Sequence, residues 1–106
     1  MPRPSRGEVW RVDLGLAAKV RPCLLLSDYP ADDELALIVV VPHTTSVRGN
    51  RWEFPIHKPF LAPGVFDLQQ VQPVSLPRLE QKLGALSADE FTQLGAALIG
   101  LLRLQG

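Results

Sequence analysis

Three apolar segments in the first half of the chain have the length and composition of β-strands. Residues 7–14 alternate apolar and polar side chains, which is the period of a half-buried strand. Residues 21–28 are nearly all apolar, with Pro22 at the start, and residues 35–41 include four β-branched side chains in succession. Both segments favour buried strands over helices. Pro42 lacks a backbone donor and is expected to end the third strand.

The second half of the chain predicts two further strands and a short helix. Residues 51–57 alternate as a strand does, and residues 65–76 read as a fifth strand that bends where its alternation slips. Residues 77–83 are predicted to form a short helix, because a proline suits the first helical position. Gly84 then provides a C-terminal stop.

The clearest helix signal begins at Ser87. Ser87 and Glu90 have the spacing of a capping box, in which the serine hydroxyl meets the amide of residue 90. Apolar side chains then recur at helical spacing, as on a face that packs against a core or a second subunit. They are Phe91, Leu94, Leu98, Leu101 and Leu102. Five short strands followed by terminal helices predict a mainly β fold, a small barrel or strongly bent antiparallel sheet closed by a helix.

Length, composition and charge exclude several classes of protein. With 106 residues, of which 46% are apolar, residues 1–106 are expected to form a single domain around one core. No apolar run approaches the roughly 20 residues that cross a bilayer, and no apolar segment follows the first arginines. We therefore expect a cytoplasmic protein with no membrane partner. Eleven basic residues balance eleven acidic ones, which argues against a purely electrostatic DNA-coating protein.

Cysteine and histidine usage argues against a disulfide and a zinc site. The single cysteine, Cys23, lies in an apolar run and is expected to be a small buried hydrophobe. The two histidines are far apart in sequence, and no CxxC or HxxxH spacing occurs. We therefore expect neither a metal nor a cofactor, and any hydrolytic chemistry is expected to be metal-free.

Polar and cationic side chains follow the third apolar run directly. Residues 43–51 read HTTSVRGNR, a dense set of hydrogen-bond donors and fixed positive charges carried by a buried strand. Loops held in this way are frequent locations of functional sites. Basic residues in the first 60 positions are interleaved with aromatic ones, which is compatible with binding a short single strand of nucleic acid. From these residues alone, a simple polar turn and an ordinary solvated surface remain open alternatives.

Five blocks, taken in order, resemble the MazF/PemK family of toxin endoribonucleases over nearly the whole chain. They are RGEVWRVDL, RPCLLLS, VVVPHTTSVRG, GVFDLQQVQPVSL and LPRLEQKLGALS. The resemblance implies an SH3-like, plasmid-maintenance-toxin barrel with a C-terminal helix. It also implies a homodimer, and a small cognate antitoxin whose tail crosses the RNA site and with which the toxin binds DNA.

The same resemblance implies an activity that inhibits growth. It is metal-independent, sequence-specific cleavage of single-stranded RNA, in which the ribose 2′-hydroxyl attacks the adjacent phosphate. The products are 2′,3′-cyclic phosphate and 5′-hydroxyl ends. Such a reaction needs charge stabilisation at the phosphorane and proton handling at both oxygens.

Individual residues match the family's functional positions. Arg21 matches a catalytic arginine that precedes a proline, and Thr44 matches a threonine that hydrogen-bonds the phosphate. Asp67 is a candidate catalytic carboxylate. His43 is a second catalytic candidate because of its intrinsic pKa, although strand alternation places it on the side opposite Thr44. RNA-binding side chains are expected at Lys19, Thr45, Ser46, Arg48, Arg51 and Gln70.

Two glutamines depart from the family pattern. Many members carry an acidic residue before the glutamine of the fifth strand and an arginine two residues after it, whereas this chain has Gln69 and Gln72 around Gln70. The identity of the general base therefore stays open. Two other functions fit the same fold: a non-enzymatic toxin that poisons DNA gyrase through its terminal helix, and an SH3-like interaction module. The gyrase function favours exposed aromatic residues at the C-terminal end, which residues 100–106 lack.

Overall fold

A computed structural model describes residues 3–15, 17 and 19–104. These residues form a mainly β structure with a C-terminal helix, which confirms the predicted fold class. The strands are β1 (Glu8–Asp13), β2 (Val20–Leu25), β3 (Leu37–Thr44), β4 (Glu53–Phe54), β5 (Val65–Asp67), β6 (Gln72–Ser75) and β7 (Leu79–Ala85). The helix α1 spans Ala88–Leu102, and two short 3-10 helices span Leu68–Gln70 and Leu76–Arg78.

The strands form one antiparallel sheet in the order β4-β5-β3-β2-β1-β7, with β6 also paired to β3. Within the described residues the sheet has seven strands, two more than predicted. β4 and β7 lie at the two ends of this order, and no pairing between them is present in the described part of the chain. The sheet is therefore open, where a closed barrel was one of the expected forms.

The predicted fifth strand is in fact two strands separated by a 3-10 turn. The Asp67 carboxylate accepts a hydrogen bond from the Gln69 amide at 3.2 Å, and this contact caps the turn that ends β5. After the turn, β6 pairs with residues 37–40 of β3, whereas β5 pairs with His43 and Thr44. The slip in the sequence alternation thus marks a change of position along the same partner strand.

β3 continues through Pro42 rather than ending there. Pro42 pairs with Cys23 of β2, and on the other side of β3 it lies between the stretch that pairs with β6 and the stretch that pairs with β5. A residue without an amide donor is tolerated in this gap because no ladder partner on that side requires one. The extension carries Thr44 to the end of a paired strand.

The prediction of a helix over residues 77–83 is wrong. Residues 76–78 make one 3-10 turn, and the following residues form β7, which pairs with β1. Two ion pairs link these strands: Arg11 with Glu80 at 3.2 Å, and Lys82 with Glu8 at 2.9 Å. The local helix propensity of this segment is overridden because β7 can form backbone hydrogen bonds with the edge of β1.

Two apolar clusters bury the central strands. One contains Leu24, Phe66 and Leu94, so it joins the sheet to α1. The other contains Cys23, Leu25 and Ile38. Because successive residues of a strand point to opposite faces, adjacent Cys23 and Leu24 place the clusters on the two faces of β2.

Cys23 is fully buried, as predicted. Its Sγ lies 3.6 Å from the Arg21 carbonyl oxygen, to which it donates a weak hydrogen bond. Burial raises the pKa of the thiol to about 12, so it stays protonated at neutral pH.

The helix α1 begins at the predicted cap. The Ser87 hydroxyl accepts a hydrogen bond from the Glu90 amide at 3.1 Å, and the Glu90 carboxylate accepts one from the Ser87 amide at 2.8 Å. Leu94 is fully buried beneath the helix, whereas Leu102, which was predicted to belong to the same apolar face, is 49% exposed. Among residues 3–15, 17 and 19–104, no helix is both long and apolar enough to cross a membrane.

Candidate functional site

A polar cleft of about 230 Å³ lies where β2, the end of β3 and the end of β5 come together. Its lining combines two guanidinium groups, two hydroxyls, one carboxylate and one carboxamide with a proline ring. The lining residues are Arg21, Pro42, Thr44, Ser46, Arg48, Asp67 and Gln70. All of them except Pro42 were predicted site residues, and the fold brings them together from segments far apart in sequence.

Arg21 and Thr44 are in direct contact at this cleft. Arg21 lies near the start of β2 and pairs with Val12 of β1, which sets its position in the sheet. Its Nη1 donates to Thr44 Oγ1 at 3.3 Å, and the Ser46 amide donates to the same oxygen at 3.0 Å. The two lone pairs of this oxygen thus accept two hydrogen bonds, which leaves the hydroxyl proton of Thr44 to be donated. An anionic ligand in the cleft is a suitable acceptor for it.

The end of β5 and the 3-10 turn after it contribute one carboxylate and one carboxamide to the cleft lining. Asp67 ends β5, and its Oδ1 accepts the Gln69 amide at 3.2 Å. The Gln72 side chain donates from Nε2 to the Gln70 backbone carbonyl at 3.1 Å, which ties β6 to the turn that bears Gln70. Gln69 is exposed and does not line the cleft. This part of the lining therefore offers the Asp67 carboxylate and the Gln70 carboxamide.

The loop between β3 and β4 is held by Glu53, which sequence analysis did not single out as a site residue. The Glu53 carboxylate accepts the backbone amides of Arg48 at 2.8 Å and Asn50 at 3.0 Å, and also that of Gly49. These hydrogen bonds hold the pKa of the carboxyl below its ordinary value, and the bond from the Arg48 amide has the largest effect. Gly49 has φ = 85°, a conformation that glycine adopts at little cost. A glutamate a few residues after a glycine-containing loop was the available signal.

His43 lies on the side of β3 away from the cleft. It is 3% exposed, and its ring meets Phe66 edge to face with centroids 5.1 Å apart. Burial lowers the pKa of the imidazole. Its Nε2 is buried and has no hydrogen-bond partner among the described residues. Gly64 packs so closely against His43 and the Thr44 carbonyl that a Cβ there would clash with both.

Three predicted RNA-binding residues lie outside the cleft lining. Lys19 is exposed on the β1–β2 loop and has φ = 62°. Thr45 is exposed beside Thr44. Arg51 is exposed, and its guanidinium stacks over the Trp52 ring at 4.6 Å from the centroid. In the described ranges, no group of three or more histidine, cysteine, aspartate or glutamate side chains could hold a metal ion.

Comparison with known sequences assigns the chain to a family. Residues 5–102 match the family described as PemK-like, MazF-like toxin of type II toxin-antitoxin system. The chain belongs to this family. It is also 33% identical over 98 residues to the "Probable endoribonuclease MazF5" of Mycobacterium tuberculosis (strain ATCC 25618 / H37Rv), a match that covers 90% of this chain and 89% of the relative.

Solved structures of MazF-like toxins share the fold over almost the full length. The Mycobacterium tuberculosis toxin MazF-mt6 is 26% identical, with a TM-score of 0.78, and the match covers 93% of this chain and 99% of that one. An endoribonuclease from a mycobacterial species, solved in complex with its cognate antitoxin, is 24% identical with a TM-score of 0.80. That match covers 98% of this chain and 99% of the other. The open sheet and terminal helix described above are therefore the arrangement of MazF-like toxins.

Proposed function

We propose that this toxin is a metal-independent, sequence-specific endoribonuclease that cleaves single-stranded RNA in the cleft between Arg21 and Asp67. The observation that carries the proposal is the contact between Arg21 and Thr44, 3.3 Å long, at one wall of a cleft that also receives Arg48 and Asp67. Two guanidinium groups provide positive charge for a phosphate, and the carboxylate provides a proton acceptor.

Arg21 and Thr44 stabilise the transition state. As the 2′-oxygen bonds to phosphorus, negative charge grows on the non-bridging oxygens, and donors already fixed in place stabilise that charge without reorganising. Arg21 offers a planar fork suited to phosphate oxygens. The Thr44 hydroxyl, which accepts from Arg21 and from the Ser46 amide, donates its proton to a phosphate oxygen.

Asp67 is the proposed general base. Its carboxylate takes the proton from the 2′-hydroxyl while the 2′-oxygen to phosphorus bond forms and the phosphorus to 5′-oxygen bond breaks. The leaving 5′-oxygen takes a proton from water, and the hydroxide formed removes the proton from Asp67, which restores both the water and the carboxylate. The products are a 2′,3′-cyclic phosphate and a 5′-hydroxyl, and no further reactant is consumed. Gln69 and Gln72 stand where many family members have charged residues, so Asp67 replaces their acidic group in this scheme.

The other cleft residues bind RNA. Ser46, Arg48 and Gln70 line the cleft and contact the phosphate or sugar next to the cleavage point. Exposed residues beyond the cleft extend the binding path along the strand: Lys19, Thr45 and Arg51. Because Arg51 already stacks on Trp52, it presents a preformed flat cation to a base or phosphate.

We further propose that the toxin is a cytoplasmic homodimer neutralised by a cognate antitoxin. The similar mycobacterial endoribonuclease that was solved in complex with its cognate antitoxin supports this partner. An antitoxin segment that covers the cleft would exclude RNA, and growth inhibition would follow when that segment is lost. Sedimentation of the purified toxin should give about twice the mass of one chain, and a monomer at micromolar concentration would refute the dimer.

The activity is tested with purified toxin and a mixed single-stranded RNA in EDTA, followed by mapping of the ends. We expect 2′,3′-cyclic phosphate and 5′-hydroxyl ends. Arg21→Ala and Thr44→Val each remove one stabilising donor, which lowers the cleavage rate by about 10²–10³-fold. Thr44→Val keeps the branched shape that the strand accommodates.

Matched substitutions outside the cleft serve as controls. Arg11→Ala removes an exposed arginine of β1, and Thr92→Val removes an exposed hydroxyl of α1, so both should cleave at the wild-type rate. Intact RNA with the wild-type toxin would refute the proposed activity. Wild-type rates in folded Arg21→Ala and Thr44→Val variants would instead refute the proposed site.

A further inference from the structure

The Glu53 carboxylate accepts more backbone hydrogen bonds than are needed to keep β4 in the sheet. β4 is only two residues long, and among the described residues it pairs with β5 alone. Yet Glu53 gathers three consecutive amides, those of Arg48, Gly49 and Asn50, around its two oxygens. Consecutive amides that converge in this way form an anion-binding concavity, and here the anion is a side chain of the same protein.

The loop closed by Glu53 is fixed from its other end as well. The Asn50 side chain accepts the Trp52 amide at 2.9 Å, and the Glu53 amide donates to the Asn50 carbonyl at 3.3 Å. All of these bonds are local to residues 48–53. The position of Arg48 therefore depends on Glu53 rather than on strand pairing.

The same glutamate is also tied to the strand that carries Asp67. Glu53 pairs directly with Asp67 in the β4–β5 register, and the Leu68 amide donates to the Trp52 carbonyl at 3.0 Å. Like charges placed opposite each other across two strands are unfavourable, unless each carboxylate is satisfied. Three amides satisfy Glu53, and the Gln69 amide contacts Asp67. Glu53 thus links the loop that bears Arg48 to the strand that bears Asp67.

We propose that Glu53 is a positioning residue for RNA: it holds residues 48–50 so that Arg48 lines the cleft that also contains Asp67. This inference rests on the proposed endoribonuclease function. Glu53 does not line the cleft and touches no substrate atom in the scheme above. Glu53 acts by fixing the position of Arg48 in the free protein, before RNA binds. Its loss should therefore weaken RNA binding more than it slows the chemical step.

The proposal is tested by steady-state cleavage kinetics of Glu53→Gln. A carboxamide keeps one acceptor oxygen and places a donor group against an amide donor, so the loop loses part of its hold. We expect KM to rise on the order of tenfold while kcat changes less than threefold. Glu53→Asp keeps both oxygens and the charge, and should recover part of the lost affinity. Glu80→Gln, the same change on the opposite edge strand, should leave both constants unchanged.

A double-mutant cycle separates positioning from general stabilisation. If Glu53 acts through Arg48, then Glu53→Gln should raise KM no further in the Arg48→Ala background. Equal effects in both backgrounds would overturn the proposal. So would a fall in kcat with KM unchanged, or a cleavage loss that only tracks a lower thermal midpoint.

Hydrogen exchange distinguishes failure of this inference from failure of the proposed function. Glu53→Gln should speed exchange of the amides of residues 48–50 in the folded protein, whether or not the protein cleaves RNA. Unchanged exchange there would overturn the claim that Glu53 holds the loop. Faster exchange in a protein that cleaves no RNA would leave the loop restraint standing and refute the enzymatic role.

Discussion

The loop beside the cleft and the start of α1 are each organised by a glutamate, but the two surroundings differ. Glu90 belongs to a capping box with Ser87 and also accepts Lys58 Nζ at 2.7 Å. The Lys58 contact is the main reason why the pKa of Glu90 lies below its ordinary value. Glu53 has no such regular motif, and the amides of an irregular loop lower its pKa.

The two regions also differ in the space around their glycines. A Cβ added to Gly64, behind the cleft, would clash with the Thr44 carbonyl and the His43 ring, whereas a Cβ on Gly95 in α1 would meet nothing within 4 Å. The cleft region is thus closely packed against its own backbone, and the helix has room to spare. Substitutions should therefore have opposite effects in the two regions.

The largest expected effect is that of Gly64→Ala. Because the clash involves the backbone of Thr44, the strand end or the loop must shift, and we expect a loss of about 1–3 kcal/mol in the free energy of unfolding. Urea denaturation measures this change. Cleavage should fall together with stability, since the shift displaces Thr44. An unchanged denaturation midpoint would show that the cleft is less tightly packed than the structure indicates.

A smaller effect should arise from the buried His43 as the pH falls. Its pKa is lowered in the folded state, so the unfolded chain binds the proton more readily, and stability contributed by His43 is lost as pH falls below about 6.5. His43→Leu removes this titration. Between pH 8 and pH 5, the thermal midpoint of the wild type should fall further than that of the variant, by a difference on the order of a few °C. Parallel falls would contradict a neutral, buried imidazole.

The smallest expected effect is a gain, from Gly95→Ala. Alanine has a better helix propensity than glycine, and the position is open, so we expect the free energy of unfolding to rise by about 0.5–1 kcal/mol. Cleavage should stay at the wild-type rate because α1 contributes no residue to the cleft lining. A loss of stability here would mean that a second chain packs against this face.

The regular elements were predictable because their signals are local. The capping box at Ser87 and the β-branched run before Pro42 specify their own conformation through neighbours three or fewer residues away. β7 was mistaken for a helix because its local pattern is helix-like, and only pairing with β1 decides between the two structures. A bend was predicted in residues 65–76, but a complete break after Asp67 was not, since it depends on one side-chain contact.

The candidate site was predictable where residues match the family blocks and not where the loop is irregular. Arg21 and Thr44 were expected together, and the structure places them 3.3 Å apart. Lys19 and Arg51 were expected at the site but lie outside the cleft lining, because their positions depend on loop conformations that no short pattern specifies. Glu53 was missed because its partners are backbone amides, and a glutamate a few residues after a glycine-containing loop is only a weak signal of such contacts.

The buried Cys23 thiol can be used to measure how often the central strands of the sheet separate. The thiol lies at the middle of the sheet, between β1 and β3, and its pKa of about 12 leaves almost no thiolate at neutral pH. Alkylating reagents react with the thiolate and need access to it, so modification requires the central strands to separate. The labelling rate of the unmodified protein therefore measures how often the centre of the sheet opens, and RNA or antitoxin that binds the folded state should slow it.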